Sequence, residues 1–340
     1  MKLLCGAISV VVAVAGLTAP ATQAPPHFAD GFGLVVVSRP AWVTERTFTF
    51  SVRTDEVPAF GAMPGQVSGE HVVMVTLPVG YDGSTAYPVQ YTLHGAGDTP
   101  NSAANREIIE RATAGVPLIT VMPNGSGRGW YTNWASGGQN WESFHLDQLI
   151  PFVDANLDTV ASRAGRAISG HSMGGFGAFH YAEERPDLFS YVGSFSGGLD
   201  LTNRVQRGAV LATEVLPSYG VPVAPPGAIF GPPLARSWWT RSPAQHVESL
   251  RGMGVAMYAG DGGDLLSGDL FSGLLENRAR RTAVVTARHL AAAGIPYDFI
   301  DYGDGSAWAP GCTGKHAQQP CLQADMDHFV SLIMARLRHP

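Results

Sequence analysis

Apolar and polar positions alternate with a period of two in TFTFSV (47–52) and HVVMVTL (71–77), which predicts a pair of half-buried antiparallel strands after a mobile lead-in near residues 22–32. From PVQYTL (88–93) onward the rhythm changes. Short apolar runs, PLITVM (117–122), RAIS (166–169), YVGSF (191–195), GVAMY (254–258) and YDFIDY (297–302), take turns with helical stretches. The predicted helices are WESFHLDQLIPFVDANL, GGFGAFHYAEE, SPAQHVESL and ENRARRTAVVTARHLAAAG. Continuous apolar strands separated by helices imply a mostly parallel sheet covered on both faces. The fold class read from this pattern is α/β, with the antiparallel pair at its N-terminal side.

Two stretches break the rhythm. Residues 124–141, NGSGRGWYTNWASGGQNW, are rich in glycine, tryptophan and asparagine, and residues 199–237 read as an irregular excursion over the sheet. Loops beyond the carboxyl ends of parallel strands commonly shape a ligand pocket, so both are candidate pocket walls as well as plain surface loops. The alternation has no repeat and no flexible linker. Residues 25–340 therefore read as one domain.

Composition narrows the function classes. With 45% hydrophobic and 15% charged residues the chain can bury a large core, and a net charge of -6 gives no basic footprint for nucleic acid or anionic lipid. Residues 1–24 resemble an export leader: Lys2, then LLCGAISVVVAVAGL, then small residues around Ala21 and Ala24. The apolar run is short for a membrane span, so an exported, extracellular or envelope-associated protein without stable membrane insertion is expected. Setting Cys5 aside with the leader leaves Cys312 and Cys321, expected to pair in an oxidising compartment around His316.

Gly170-His171-Ser172-Met173-Gly174 fits the pattern G-x-S-x-G. The pattern alone is weak in a chain with 41 glycines, but here RAIS precedes it as a strand and GGFGAFHYAEERP follows as a helix. A strand–turn–helix setting exposes the serine on a tight turn, and makes Ser172 the candidate nucleophile. Acyl transfer also needs donors for an oxyanion, expected from the Met173 backbone N–H and from the loop His94-Gly95-Ala96-Gly97, at Ala96 or alternatively Gly95. His94 reads as a loop-shaping residue.

A serine hydroxyl needs a general base. His328 falls inside the amphipathic ADMDHFVSLIMARL, where a histidine usually packs, whereas His316 lies in a loop between the cysteines and is the expected base. Asp261, Asp264, Asp269 and Glu276 follow the GVAMY strand, and spacing alone leaves the acid open among them; aspartates beside glycine also form ordinary turns.

These segments together resemble the esterase-D-like family of the α/β-hydrolase fold, and within it the secreted mycolyltransferase branch of actinobacteria. The resemblance runs through GYDGSTAYPVQYTLHG, MPNG with WYTNW and WESF, GHSMGG, SFSGGLD, WWTRSPAQHVESLRG and YAGDGG to LLENRARRT, AGIPYDF and GKH. It implies that the acid is the glutamate before the Arg281-Thr282 pair, Glu276, in preference to Asp264, and that the histidine after Gly314-Lys315 is the base. The loop HGAGDTPN departs from that branch, which carries an aspartate at the position of His94 and an arginine soon after, residues that help bind a trehalose acceptor. The aromatic cluster following the family's histidine is likewise replaced here, by Ala317-Gln318-Gln319.

The expectation is a serine carboxylic-ester hydrolase with a Ser-His-Glu triad, acting on a small-molecule or lipid ester without metal or organic cofactor. Transfer of a long acyl chain to a sugar or glycerol acceptor is the alternative within the enzyme class. A non-catalytic cell-wall or matrix binding protein on the same scaffold is the alternative outside it.

Overall fold

The computed structural model describes residues 24–215, 222–264, 266 and 268–339. Except for Ala24, the leader expected over 1–24, with Cys5, lies outside them. Nine strands form one sheet in the order β1-β2-β3-β5-β4-β6-β7-β8-β9. The strands are β1 (Val35–Trp42), β2 (Thr47–Arg53), β3 (His71–Thr76), β4 (Val89–Leu93), β5 (Ile119–Pro123), β6 (Arg166–His171), β7 (Tyr191–Phe195), β8 (Gly254–Gly260) and β9 (Asp298–Gly303). Pairing is antiparallel from β1 through β3 to β5 and parallel from β5 to β9.

Strand character follows burial. Every residue of β4, β5, β7 and β8 is buried, which is why those segments read as unbroken apolar runs. In β2 the inward Phe48, Phe50 and Val52 alternate with more exposed neighbours. The expected strand pair is β2 and β3, and β1 adds a third, exposed edge strand that the pattern did not reveal. Its Pro40 and the register shifts against β2 are features of an edge. The lead-in is also tied down: Phe28 is buried and its ring lies 4.4 Å from Phe50 and 5.6 Å from Phe152.

The helices are α1 (Ala103–Ala112), α2 (Trp141–Ser143), α3 (Ile150–Asn156), α4 (Met173–Glu184), α5 (Arg204–Val215), α6 (Ser237–Thr240), α7 (Leu270–Ala292) and α8 (Gln319–Met334), with a π-helical turn over Phe144–Leu149 joining α2 to α3. Helices α4 and α7 cover one face over the larger core, and α1 packs with α8 on the other. No helix among the described residues is long and apolar enough to cross a membrane. Two helical expectations change. SPAQHVESL forms two short 3-10 turns, one of them led by Pro243, and residues 204–215 of the supposed irregular excursion form α5.

Two buried histidines stitch the larger core. His71 at the start of β3 packs among Phe60, Trp141 and Phe144, with Nε2 2.9 Å from the Val57 carbonyl oxygen. His145 in the π-helical turn reaches the Tyr181 hydroxyl at 2.9 Å and the Asn124 carbonyl at 3.1 Å. Burial lowers the pKa of His71 from 6.5 to about 4 and that of His145 from 6.5 to about 3. Both rings are neutral in the folded state and protonate readily once unfolded, so the unfolded chain binds more protons below pH 6.5. Stability is therefore expected to be flat with respect to these groups above about pH 6.5 and to fall steadily as pH drops toward 4. Urea midpoints measured from pH 8 to pH 4 check this; a midpoint that does not move over that range contradicts it.

Candidate active site

The carboxyl ends of β4, β6, β7, β8 and β9 gather the candidate residues. At the end of β6 the chain turns sharply into α4, and Ser172 at the turn has φ 54° and ψ −115°, a strained conformation for a residue with a side chain. Close packing explains the flanking glycines: a Cβ on Gly170 would stand 2.3 Å from the Gly174 oxygen, and one on Gly174 2.0 Å from the Leu93 oxygen. The Ser172 N–H donates to the Phe195 carbonyl at 2.9 Å, which fastens the turn to the tip of β7.

A chain of hydrogen bonds runs from this serine into the protein. Ser172 Oγ is 2.8 Å from His316 Nε2, and His316 Nδ1 is 2.7 Å from Glu276 Oε2. An ionised carboxylate can only accept, so Nδ1 carries the ring proton and Nε2 accepts from the serine hydroxyl. Glu276 has no exposed surface, and its second oxygen, Oε1, accepts from Ser196 Oγ at 2.7 Å and from the Gly260 N–H at 2.8 Å.

The structure thus brings Ser172, His316 and Glu276 together, and gives the other acidic candidates local work. Asp261 Oδ1 accepts from the Gly263 N–H and Asp264 Oδ1 from the Leu266 N–H, each at 2.8 Å, as turn residues do. Asp269 caps α7 by accepting from the Ser272 N–H at 3.1 Å. That helix begins at Leu270, so Glu276 sits in its second turn and not at its head. His328 on α8 bonds the Tyr258 hydroxyl at 2.9 Å, away from Ser172. Buried His94 joins two loops: Nε2 accepts from the Gly125 N–H at 2.9 Å, leaving Nδ1 to donate to the Gly95 carbonyl.

Sequence reasoning missed Ser196, Gly260 and His171. Ser196 adopts φ 53° at the end of β7, and its one visible signal was its place in SFSGGLD directly after a strand. His171 lies with its ring centroid 5.0 Å from that of His316; burial, then the neighbouring His316, depresses its pKa well below the usual histidine value. A neutral ring therefore stands beside His316.

The His316 loop is fixed from two directions. Cys312 and Cys321 form a disulfide with Cα atoms 4.9 Å apart, and Ser272 Oγ donates to the His316 carbonyl at 2.6 Å. Gly314, at φ 67°, passes so close to β9 that a Cβ there would stand 2.5 Å from the Gly303 oxygen.

Above Ser172 opens a cavity of about 440 Å³ between α5 and α7. Its wall includes Trp130, Met173, Ala209, Val210, Phe271 and Leu275, with Gln206, Thr213 and Arg278 as polar members. Ala96 also lines it, whereas Gly95 packs behind, where a Cβ would come within 3.0 Å of His171 Nδ1. The WYTNW region holds the roof in place: Trp130 Nε1 donates to Thr213 Oγ1 at 3.0 Å, and buried Arg128 donates to the Glu214 carbonyl at 2.8 Å, where the α5 dipole is negative.

Removing the disulfide tests how far the His316 loop depends on it. Cys312→Ser/Cys321→Ser is expected to lose about 2–4 kcal/mol of unfolding free energy, read from urea melts. An unchanged midpoint would show that Ser272 and Gly314 suffice.

The Esterase family model matches residues 66–318. Esterase Rv1288 of Mycobacterium tuberculosis is 33% identical over 295 residues, covering 83% of this chain and 60% of the relative. The chain thus spans about 60% of the length of the curated relatives it matches first. The diacylglycerol acyltransferase/mycolyltransferase Ag85A of Mycobacterium leprae is 31% identical over 174 residues, covering 46% of this chain and 51% of that protein. Among solved structures, an S-formylglutathione hydrolase from Agrobacterium tumefaciens superposes with a TM-score of 0.62 at 16% identity, covering 89% of this chain and 99% of its own. Mycobacterium tuberculosis MPT51 does so with a TM-score of 0.61 at 19% identity, covering 80% and 95%. At those identities the structural likeness bears on the fold, which is that of the α/β-hydrolases. With the family model covering most of its length, the chain belongs to the Esterase family.

Proposed function

We propose that the chain is an exported serine carboxylic-ester hydrolase, one domain over residues 25–340, that works through an acyl-enzyme on Ser172. The observation that carries this reading is the hydrogen-bonded series Ser172–His316–Glu276 beneath an apolar cavity. Ser172 Oγ attacks the ester carbonyl carbon while His316 Nε2 takes its proton, and buried Glu276 holds the imidazole and stabilises the imidazolium. The backbone N–H groups of Met173 and Ala96 receive the oxyanion; that of Met173 is the first in α4 and has no acceptor within the helix. The tetrahedral adduct collapses as His316 returns the proton to the departing alcohol. Water then attacks the acyl-enzyme with the same base, releasing the acid and restoring Ser172. Export is supported by the apolar leader and the cysteine pair.

Acyl transfer to a sugar or glycerol hydroxyl is the second reading, favoured by the likeness to mycolyltransferase Ag85A. It needs only that an alcohol replace water in the last step. A sugar acceptor calls for several polar contacts, and the cavity wall has Arg278 as its one cation and no carboxylate among the described residues, which favours hydrolysis.

Turnover of p-nitrophenyl esters of increasing chain length, with and without added glycerol or trehalose, decides between them. Wild type is expected to hydrolyse them without regard to acceptor, Ser172→Ala to lose about 10³-fold or more, and Glu276→Gln about 10²–10⁴-fold in kcat. An acylated sugar as main product would exchange the two readings. Undiminished turnover in Ser172→Ala would remove both.

A further inference from the structure

The two helices that wall the cavity do not end their apolar stripes at its mouth. On α5, Ala209 and Ala212 face the cavity, and Val205, one turn earlier on the same stripe, is 64% exposed. On α7, Phe271 and Leu275 line the cavity, yet Phe271 is 65% exposed, and its neighbours Leu270 and Leu274 are 51% and 52% exposed. A hydrogen bond of 2.9 Å from Arg278 Nη1 to Asn203 Oδ1 draws the start of α5 against α7. Large apolar side chains concentrated at one opening mark a surface that meets something apolar.

We infer that this rim docks onto the surface of an aggregated, uncharged ester, a droplet or neutral lipid layer, and passes acyl chains from it into the cavity. The inference rests on the proposed hydrolase reading for its purpose, though adsorption itself does not require catalysis. Three features select this occupant. Phe271 belongs to both the rim and the cavity wall, so the docking surface and the acyl site are continuous. A protein seated on the rim would close the opening over Ser172, whereas an ester phase supplies what the opening admits. The charges about the opening are of both signs, exposed Asp261 and Asp269 with exposed Arg204 and half-buried Arg278, so no one-signed field directs the rim to a charged surface, which leaves a neutral one.

The test separates adsorption from turnover. Leu270→Ser/Leu274→Ser alters the rim without touching a residue of the cavity wall, and Leu270→Met/Leu274→Met keeps it apolar. On tributyrin raised through its solubility limit, wild type and the Met variant are expected to accelerate by about fivefold or more as droplets appear, and the Ser variant to lose about tenfold on droplets. On monomeric p-nitrophenyl butyrate all three should agree within about twofold. Flotation with triolein droplets coated in phosphatidylcholine, using Ser172→Ala as the inactive background, should carry the intact rim upward and leave the Ser variant behind. Equal flotation of the two, tighter binding to phosphatidylglycerol than to phosphatidylcholine, or a solution dimer that Leu270→Ser/Leu274→Ser dissociates would each overturn the inference. Rim-dependent flotation by a wild type that hydrolyses neither ester would uphold the docking surface and remove the hydrolase reading.

Discussion

A carboxylate with no contact to water must find its hydrogen-bond donors within the protein or lose its charge, and Glu276 is in that position. Its three donors come from three separate places: Ser196 at the tip of β7, the Gly260 N–H at the tip of β8, and His316 from the loop after β9. The carboxylate itself arrives from the second turn of α7. Helix and both strand ends must therefore be correctly docked before the charge is satisfied. Much of the surrounding detail serves that docking, including the Asp269 cap, the Ser272 bond to the His316 carbonyl and the glycines that let loops pass close to the sheet.

The legible part of the fold was its buried centre. Strands β4 to β8 are apolar because helices cover both faces, so their segments stand out in one dimension. The edge was harder to read. Strand β1 keeps Arg39 and Pro40 because half of it faces solvent, and nothing in that composition announces pairing. Helix α1 was overlooked, and α5 hid in a stretch that continues into several prolines and glycines. It is fastened in part by Arg128 and Trp130 on a distant loop, a tertiary cause invisible locally.

The candidate site divides in the same way. Ser172 was readable because a strained turn demands small neighbours, and glycines write that demand into the local sequence. His316 was readable from the cysteines beside it. Glu276 was not separable from three nearby aspartates on spacing, since what distinguishes it is burial against partners far along the chain. The aspartates bond to amides two or three residues away, whereas Glu276 bonds to residues 16, 40 and 80 positions distant. Ser196 and His171 belong to the same long-range category.

The tip of β7 has one more consequence. Phe195 holds the backbone of Ser172 through its carbonyl, and the very next residue, Ser196, holds the carboxylate of Glu276 through its hydroxyl. The two ends of the relay are thus registered to a single peptide unit. A shift of β7 is therefore felt at the serine, through the Phe195 carbonyl, and at the carboxylate, through the Ser196 hydroxyl, at the same time.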